Sequence, residues 1–119
     1  MSNSKVFDKA YLLALEIIKV YKVLVERNEF IISKQLLRCG TSIGANLAEA
    51  NGAISNADFS AKVSIAYKEG LETKNGLSLL KDSNYMGEHD YKKLHNDTDE
   101  ISKMLFSILK TTRINKKKT

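Results

Sequence analysis

Residues Arg38 to Leu80 read RCGTSIGANLAEANGAISNADFSAKVSIAYKEGLETKNGLSLL, and this stretch decides the fold. Small, polar and apolar residues recur at steps of three and four on either side of a short Asn/Gly/Ser turn. That is the spacing of side chains sharing one face of an α-helix. The stretch reads as an antiparallel helical hairpin. Asn51-Gly52 is the stop signal of its first helix. Ser55 or Asn56 caps its second, with Asp58 in the first turn, where an acid suits the helix dipole. The second helix carries the stripe Phe59, Val63, Ala66, Gly70, Thr73, Leu77 and Leu80, and Asn84 to Gly87 break it.

On the N-terminal side, Ser4 is placed to cap a helix with two adjacent apolar stripes. One is Phe7, Tyr11, Ala14, Ile18, Tyr21 and Val25; the other is Val6, Ala10, Leu13, Ile17, Val20 and Leu24. So wide an apolar face implies contact with more than one partner helix. Arg27-Asn28-Glu29 ends it, Phe30-Ile31-Ile32 is a connector too short for a strand, and Ser33 is placed to cap the next helix. After the hairpin, Tyr91, Leu94, Thr98, Ile101, Leu105, Ile108 and Thr112 repeat the same spacing. With no proline in the chain, nothing forces a break inside these segments. Four heptad-like segments with short links predict an all-α, up-down-up-down antiparallel four-helix bundle. It is a single domain over residues 1–119 with a short basic tail from about residue 114.

Inside the hairpin, Gly40, Gly44 and Ala48 are spaced four apart, so another backbone can come close. Each glycine costs its helix about 1 kcal/mol relative to alanine, and tight packing is the simplest offset. Arg38, Ser42, Asn46 and Glu49 share one face of the first helix; Asp58, Lys62, Glu69 and Glu72 share one face of the second. Folding about the turn brings Arg38 opposite Glu69 and Glu49 opposite Asp58, with Lys62 one turn away. This predicts an Arg38–Glu69 ion pair and a Glu49/Lys62/Asp58 cluster. The stripe reads as solvated surface, as a polar network fixing the register of a subunit interface, or as a carboxylate site. The interface reading is preferred. A di-iron centre of the ferritin type needs Glu-x-x-His pairs, and this chain has Glu69-x-x-Glu72 but no Glu-x-x-His.

The same residues suggest a family. Leu36 to Ala50 resembles the R-x-x-x-S-I-x-x-N-x-A-E signature of the bacterial four-helix bundle proteins, also called 23S ribosomal RNA intervening-sequence proteins. Asp58-Phe59, Lys62, Ile65-Ala66 and Lys68-Glu69-Gly70-x-Glu72 look like that family's second block. Gly70 stands where the family usually has alanine, and Lys74-Asn75 where it often has an aromatic pair. The resemblance extends over nearly the whole chain in length and helix order. It implies a homopentamer of four-helix subunits, similar also to the accessory variability protein of diversity-generating retroelements, a pentamer thought to bind nucleic acid and a reverse transcriptase. It implies that Arg38, Ser42, Asn46, Glu49, Lys62, Glu69 and Glu72 are the characteristic polar residues, structural or interfacial in role.

Charge is unevenly distributed. All 14 acidic side chains lie in residues 1–100 together with 13 of the 19 basic ones; Lys103, Lys110, Arg113, Lys116, Lys117 and Lys118 follow with no acid among them. The net +5 therefore belongs to the end of the last helix and the tail, which suit a helix C-terminus and can also contact phosphates. Candidates for phosphate contact are Lys62, Lys74, Lys81, Lys110, Arg113, Lys116, Lys117 and Lys118, each multiplied in a closed ring. Tyr67, Tyr85 and Tyr91 have faces on which bases can stack, although tyrosines at helical spacing usually pack in a core or interface. His89 and His95 are too few for a zinc site, and His95 is placed to pair with Asp99. Cys39, the only cysteine, reads as packing filler beside Arg38. No Ser–His–Asp arrangement, phosphate-binding glycine loop or dinucleotide fingerprint is present.

These features lead to the expectation of a non-enzymatic, cytoplasmic, self-assembling protein without metal or cofactor. Its expected partners are further copies of itself, RNA or DNA, or another protein, and no membrane. The alternative is a purely structural or protein-interaction oligomer without nucleic-acid affinity.

Overall fold

The computed structural model describes the backbone of residues 4–118 and the side chains of residues 5–112. Four helices follow one another: α1 (Ser4–Glu26), α2 (Ile32–Asn51), α3 (Asn56–Asp82) and α4 (Glu88–Lys118). Helix α4 continues through the residues that the sequence suggested as a separate tail. Each helix packs on its two neighbours in the order α1-α2-α3-α4-α1, in a bundle 52 × 21 × 21 Å. All four seams are antiparallel. Gly40 and Gly44 meet Ile17 and Ala10 across α1–α2. Arg38 meets Glu69 across α2–α3, Lys74 meets Asp99 across α3–α4, and Lys9 meets Glu100 across α1–α4.

The expected stripes form the core. On α1 it is the stripe beginning at Val6: Val6, Ala10, Leu13, Ile17 and Leu24 are buried. The stripe beginning at Phe7 flanks it, half-buried except for Tyr11, which is exposed. Leu36, Ile43 and Leu47 of α2, Val63, Leu77 and Leu80 of α3, and Leu94, Ile101 and Leu105 of α4 close the centre. Each such side chain contributes about 1.5–3 kcal/mol on burial. Thr73 and Thr98 lie among them, and their hydroxyls donate to the carbonyls of Glu69 and Leu94, four residues back, so neither of these two goes unpaired.

The helix ends at one pole share a device. Asn28 and Asn84 are the non-glycine residues with positive φ, at 64° and 68°. The N–H after each returns to the carbonyl five residues back, Glu29 to Leu24 and Tyr85 to Leu80. These are Schellman closures with asparagine in the left-handed position usually taken by glycine. Arg27 joins the two ends, donating to the carbonyls of Tyr85 and Asn84 and lying over the Tyr85 ring. Glu29 then turns back to cap α2, its carboxylate accepting from the N–H groups of Ile31, Ile32 and Ser33. Ser33 is therefore not the cap; its hydroxyl donates to the Glu29 carbonyl. Burial pushes the Glu29 carboxyl up, but the three backbone N–H groups outweigh it and hold the group below its ordinary value. At the other pole Ser55 caps α3 by accepting from the Asp58 N–H.

The small-residue stripe has a different partner from its polar neighbour. Gly40 and Gly44 are buried against α1, whereas Ala48 is exposed and takes no part. A Cβ on Gly40 would stand 3.0 Å from Ile17, so a larger residue there would have to push the Ile17 side chain aside.

Candidate functional site

The polar stripe lies on the outer edge of the α2–α3 seam. The Arg38 guanidinium bridges two carboxylates one turn apart on α3, at 3.3 Å to Glu69 and 3.0 Å to Glu72. Both raise its pKa, chiefly the hydrogen bond it donates to Glu72 and then the charge of Glu69. Lys62 pairs with Glu49 at 2.7 Å, which likewise holds the ammonium charged. The cluster expected near the turn is smaller than the sequence implied. Asp58 accepts the Ile54 N–H and reaches Lys62 only through its charge. Ser42 and Asn46 also stay within α2, donating to the carbonyls of Arg38 and Ser42. They lie beside the charged residues without joining helix to helix.

One atom in this seam is unsatisfied. The Glu69 side chain is only 13% exposed, and its Oε1 has no hydrogen-bond partner among the described residues. The Arg38 side chain remains 57% exposed beside it. The Arg38–Glu72 pair is exposed on both sides and contributes little to folding, and the Glu69 oxygen left without a donor adds a cost.

The basic candidates do not form one patch. Lys62 lies on the α2 side of α3, Lys74 and Lys81 on the α4 side, and each pairs with a carboxylate: Glu49, Asp99 and Glu88 respectively. Lys81 also lies over the Tyr91 ring. Lys110 is exposed on α4. The side chains of Arg113, Lys116, Lys117 and Lys118 lie outside the described residues. Lys103 was not among the candidates, yet it joins Lys74 at Asp99, at 3.1 and 3.0 Å. Their hydrogen bonds hold the Asp99 carboxyl below its ordinary value, that of Lys74 first. Asp99 is thus committed to lysines, and His95 packs against the Tyr91 ring instead of pairing with it.

Tyr67, Tyr85 and Tyr91 are all half-buried against the core. Cys39 is buried with its thiol near the Leu36 carbonyl, and desolvation raises its pKa despite Arg38 alongside. That suits a packing residue and not a nucleophile. Among the described residues no group of three or more His, Cys, Asp or Glu side chains is arranged to hold a metal, and no helix is long and apolar enough to cross a membrane. A second apolar feature stands clear of both seams: Tyr11, Leu12, Leu15 and Val23 are exposed on α1.

Comparison with known proteins places this architecture. The chain superposes with a TM-score of 0.87 on the crystal structure of a protein of unknown function from the S23 ribosomal protein family of Bacteroides thetaiotaomicron. The two are 49% identical over 88% of this chain and 98% of that one. No significant match is found among curated proteins. The model of the 23S rRNA-intervening sequence proteins matches residues 2–107, which covers α1 to α3 and the first 20 residues of α4. This chain belongs to the 23S rRNA-intervening sequence protein family.

Proposed function

We propose that the protein is a non-enzymatic, cytoplasmic scaffold that assembles into a closed homo-oligomer, a pentamer, and holds nucleic acid on the assembled surface. The half-satisfied α2–α3 seam carries this reading. A nearly buried carboxylate oxygen without a donor, next to a half-exposed guanidinium, is costly in a monomer. It is suited to an approaching polar surface from another subunit. The exposed Tyr11, Leu12, Leu15 and Val23 on α1 form a second, unlike surface. Two unlike surfaces are what a head-to-tail ring requires. The net charge of +5 per chain supports the nucleic-acid part, since a ring concentrates it on one object.

One observation favours the second reading, an oligomer that binds only protein. Lys62, Lys74 and Lys81 are each engaged by a carboxylate and so are less available to phosphate. The test is light scattering for mass, followed by mobility shift with RNA and DNA probes at two salt concentrations. A defined ring whose binding weakens steeply with salt is expected. A ring that binds no probe at low salt selects the protein-interaction reading, and a monomer removes the assembly proposal.

A further inference from the structure

The α3–α4 face contains a recess that the polar stripe does not explain. It has a volume of about 340 Å³ and is lined by Tyr67, Lys74, Asp99, Ser102, Lys103 and Phe106. That volume lies within the range of small-ligand sites, about 300–1,000 Å³. The Phe106 ring packs on Tyr67 with centroids 5.9 Å apart, yet the residue as a whole remains 51% exposed. Ser102 is 3% exposed and its Oγ has no partner among the described residues, unlike Thr73 and Thr98 nearby, which bond back to their own helices. Gly70 makes room for it: a Cβ at residue 70 would stand 2.8 Å from that oxygen. Lys103, Phe106 and Lys110 follow at steps of three and four along one face of α4, so an aromatic ring lies between two exposed cations.

We infer that this recess binds one nucleotide unit of a single-stranded nucleic acid. The inference rests on the nucleic-acid reading and gives it an address. The base stacks on the exposed Phe106 with Tyr67 behind it, over a recess floored by the buried Ser102. The adjoining phosphates pair with Lys103 and Lys110. Lys103 is 79% exposed and among the described residues is held on the wall by Asp99, which also orients Lys74. A single strand fits because its bases present a free face; in a duplex that face is covered by neighbouring bases.

The experiment is fluorescence anisotropy of the full-length protein with labelled single-stranded and double-stranded oligonucleotides at several salt concentrations. Circular dichroism on every variant checks that the fold is intact. Phe106→Ala is expected to weaken single-strand binding about tenfold, the scale of one lost stacking contact, and to leave duplex binding unchanged. Phe106→Leu keeps the apolar volume without the ring and is expected to behave alike. Lys103→Gln is expected to reduce the single-strand salt slope by about 0.7, one phosphate's share. Asp99→Asn, which releases both lysines, is expected to tighten single-strand binding. If the wild type binds single strands and the Phe106 and Lys103 variants bind equally well, the recess is not the site while the nucleic-acid reading stands. If the wild type binds no probe at low salt, both are overturned.

Discussion

Helix α3 has two seams built on different principles. Toward α2, the outer edge is held by charges on long side chains: Arg38 with Glu69 and Glu72, and Lys62 with Glu49. Toward α4, the seam combines ion pairs, Lys74–Asp99 and Lys81–Glu88, with short-range fits. Ser102 occupies the space left by Gly70, Ser78 meets the Tyr91 hydroxyl at 3.2 Å, and Phe106 covers Tyr67. The difference shows how much geometric freedom each contact has. A lysine or arginine can find a carboxylate across several registers, whereas a glycine–serine fit works in one register only.

The largest expected effect falls on a residue that serves both seams. Ile43 is fully buried on α2, and its Cδ1 is 4.0 Å from where a Cβ on Gly70 would lie. Ile43→Ala should lose about 2–5 kcal/mol of stability in denaturant titration. A loss within the range of a surface change would mean that the two seams do not share a core. Next in size is a contrast between glycines of one helix. Gly70→Ala should destabilise by about 1–3 kcal/mol through overpacking, and adding Ser102→Ala should restore most of that loss. Gly76→Ala should be neutral or stabilising by up to about 1 kcal/mol, because its Cβ would stand 3.4 Å from the flexible end of Leu36. Equal effects at both positions would erase the distinction between the seams.

Acid separates the seams further. The folded-state pKa values of Glu29 and Asp99 are depressed, so their stabilisation is present above the ordinary carboxylate values of 4.5 and 3.8 and is lost as pH falls through the lower folded values. Glu29→Gln and Asp99→Asn should each flatten the fall in melting temperature across that window. Identical acid profiles in wild type and both variants would remove these two carboxylates from the account. Arg38→Ala should lower the melting temperature only modestly, because its pair with Glu72 is exposed and only the sheltered Glu69 loses its cation. It should nevertheless shift the mass measured by light scattering toward smaller species if the α2–α3 edge is an interface. An unchanged mass would leave Arg38 as a solvated surface residue.

Which features were legible follows the same physics. The core stripes of α1, α3 and α4 were readable because three- and four-residue spacing is a local property of the chain. The Arg38–Glu69 pair was readable because the short turn sets the hairpin register to within a turn. Glu29 as the cap of α2 was missed because Ser33 has the stronger local signature; only the fold of the connector points a carboxylate at three free N–H groups. Ser42 and Asn46 were assigned to a network by their face, but short side chains in a helix reach their own carbonyls first. The recess went unread since Phe106 and Lys103 draw meaning from Tyr67 and Lys74 on another helix. The spacing of Lys103, Phe106 and Lys110 was the one signal available.

By itself the sequence determined four amphipathic helices, their order, their turns and an antiparallel bundle, since periodicity and turn chemistry act over a few neighbouring residues. Only the tertiary structure decided which side of each helix meets which partner: that Gly40 and Gly44 face α1, that Gly70 receives Ser102, and that Asp99 holds two lysines. Those choices depend on helix rotation and register to within an ångström or so, where close packing rejects what residue spacing alone would allow.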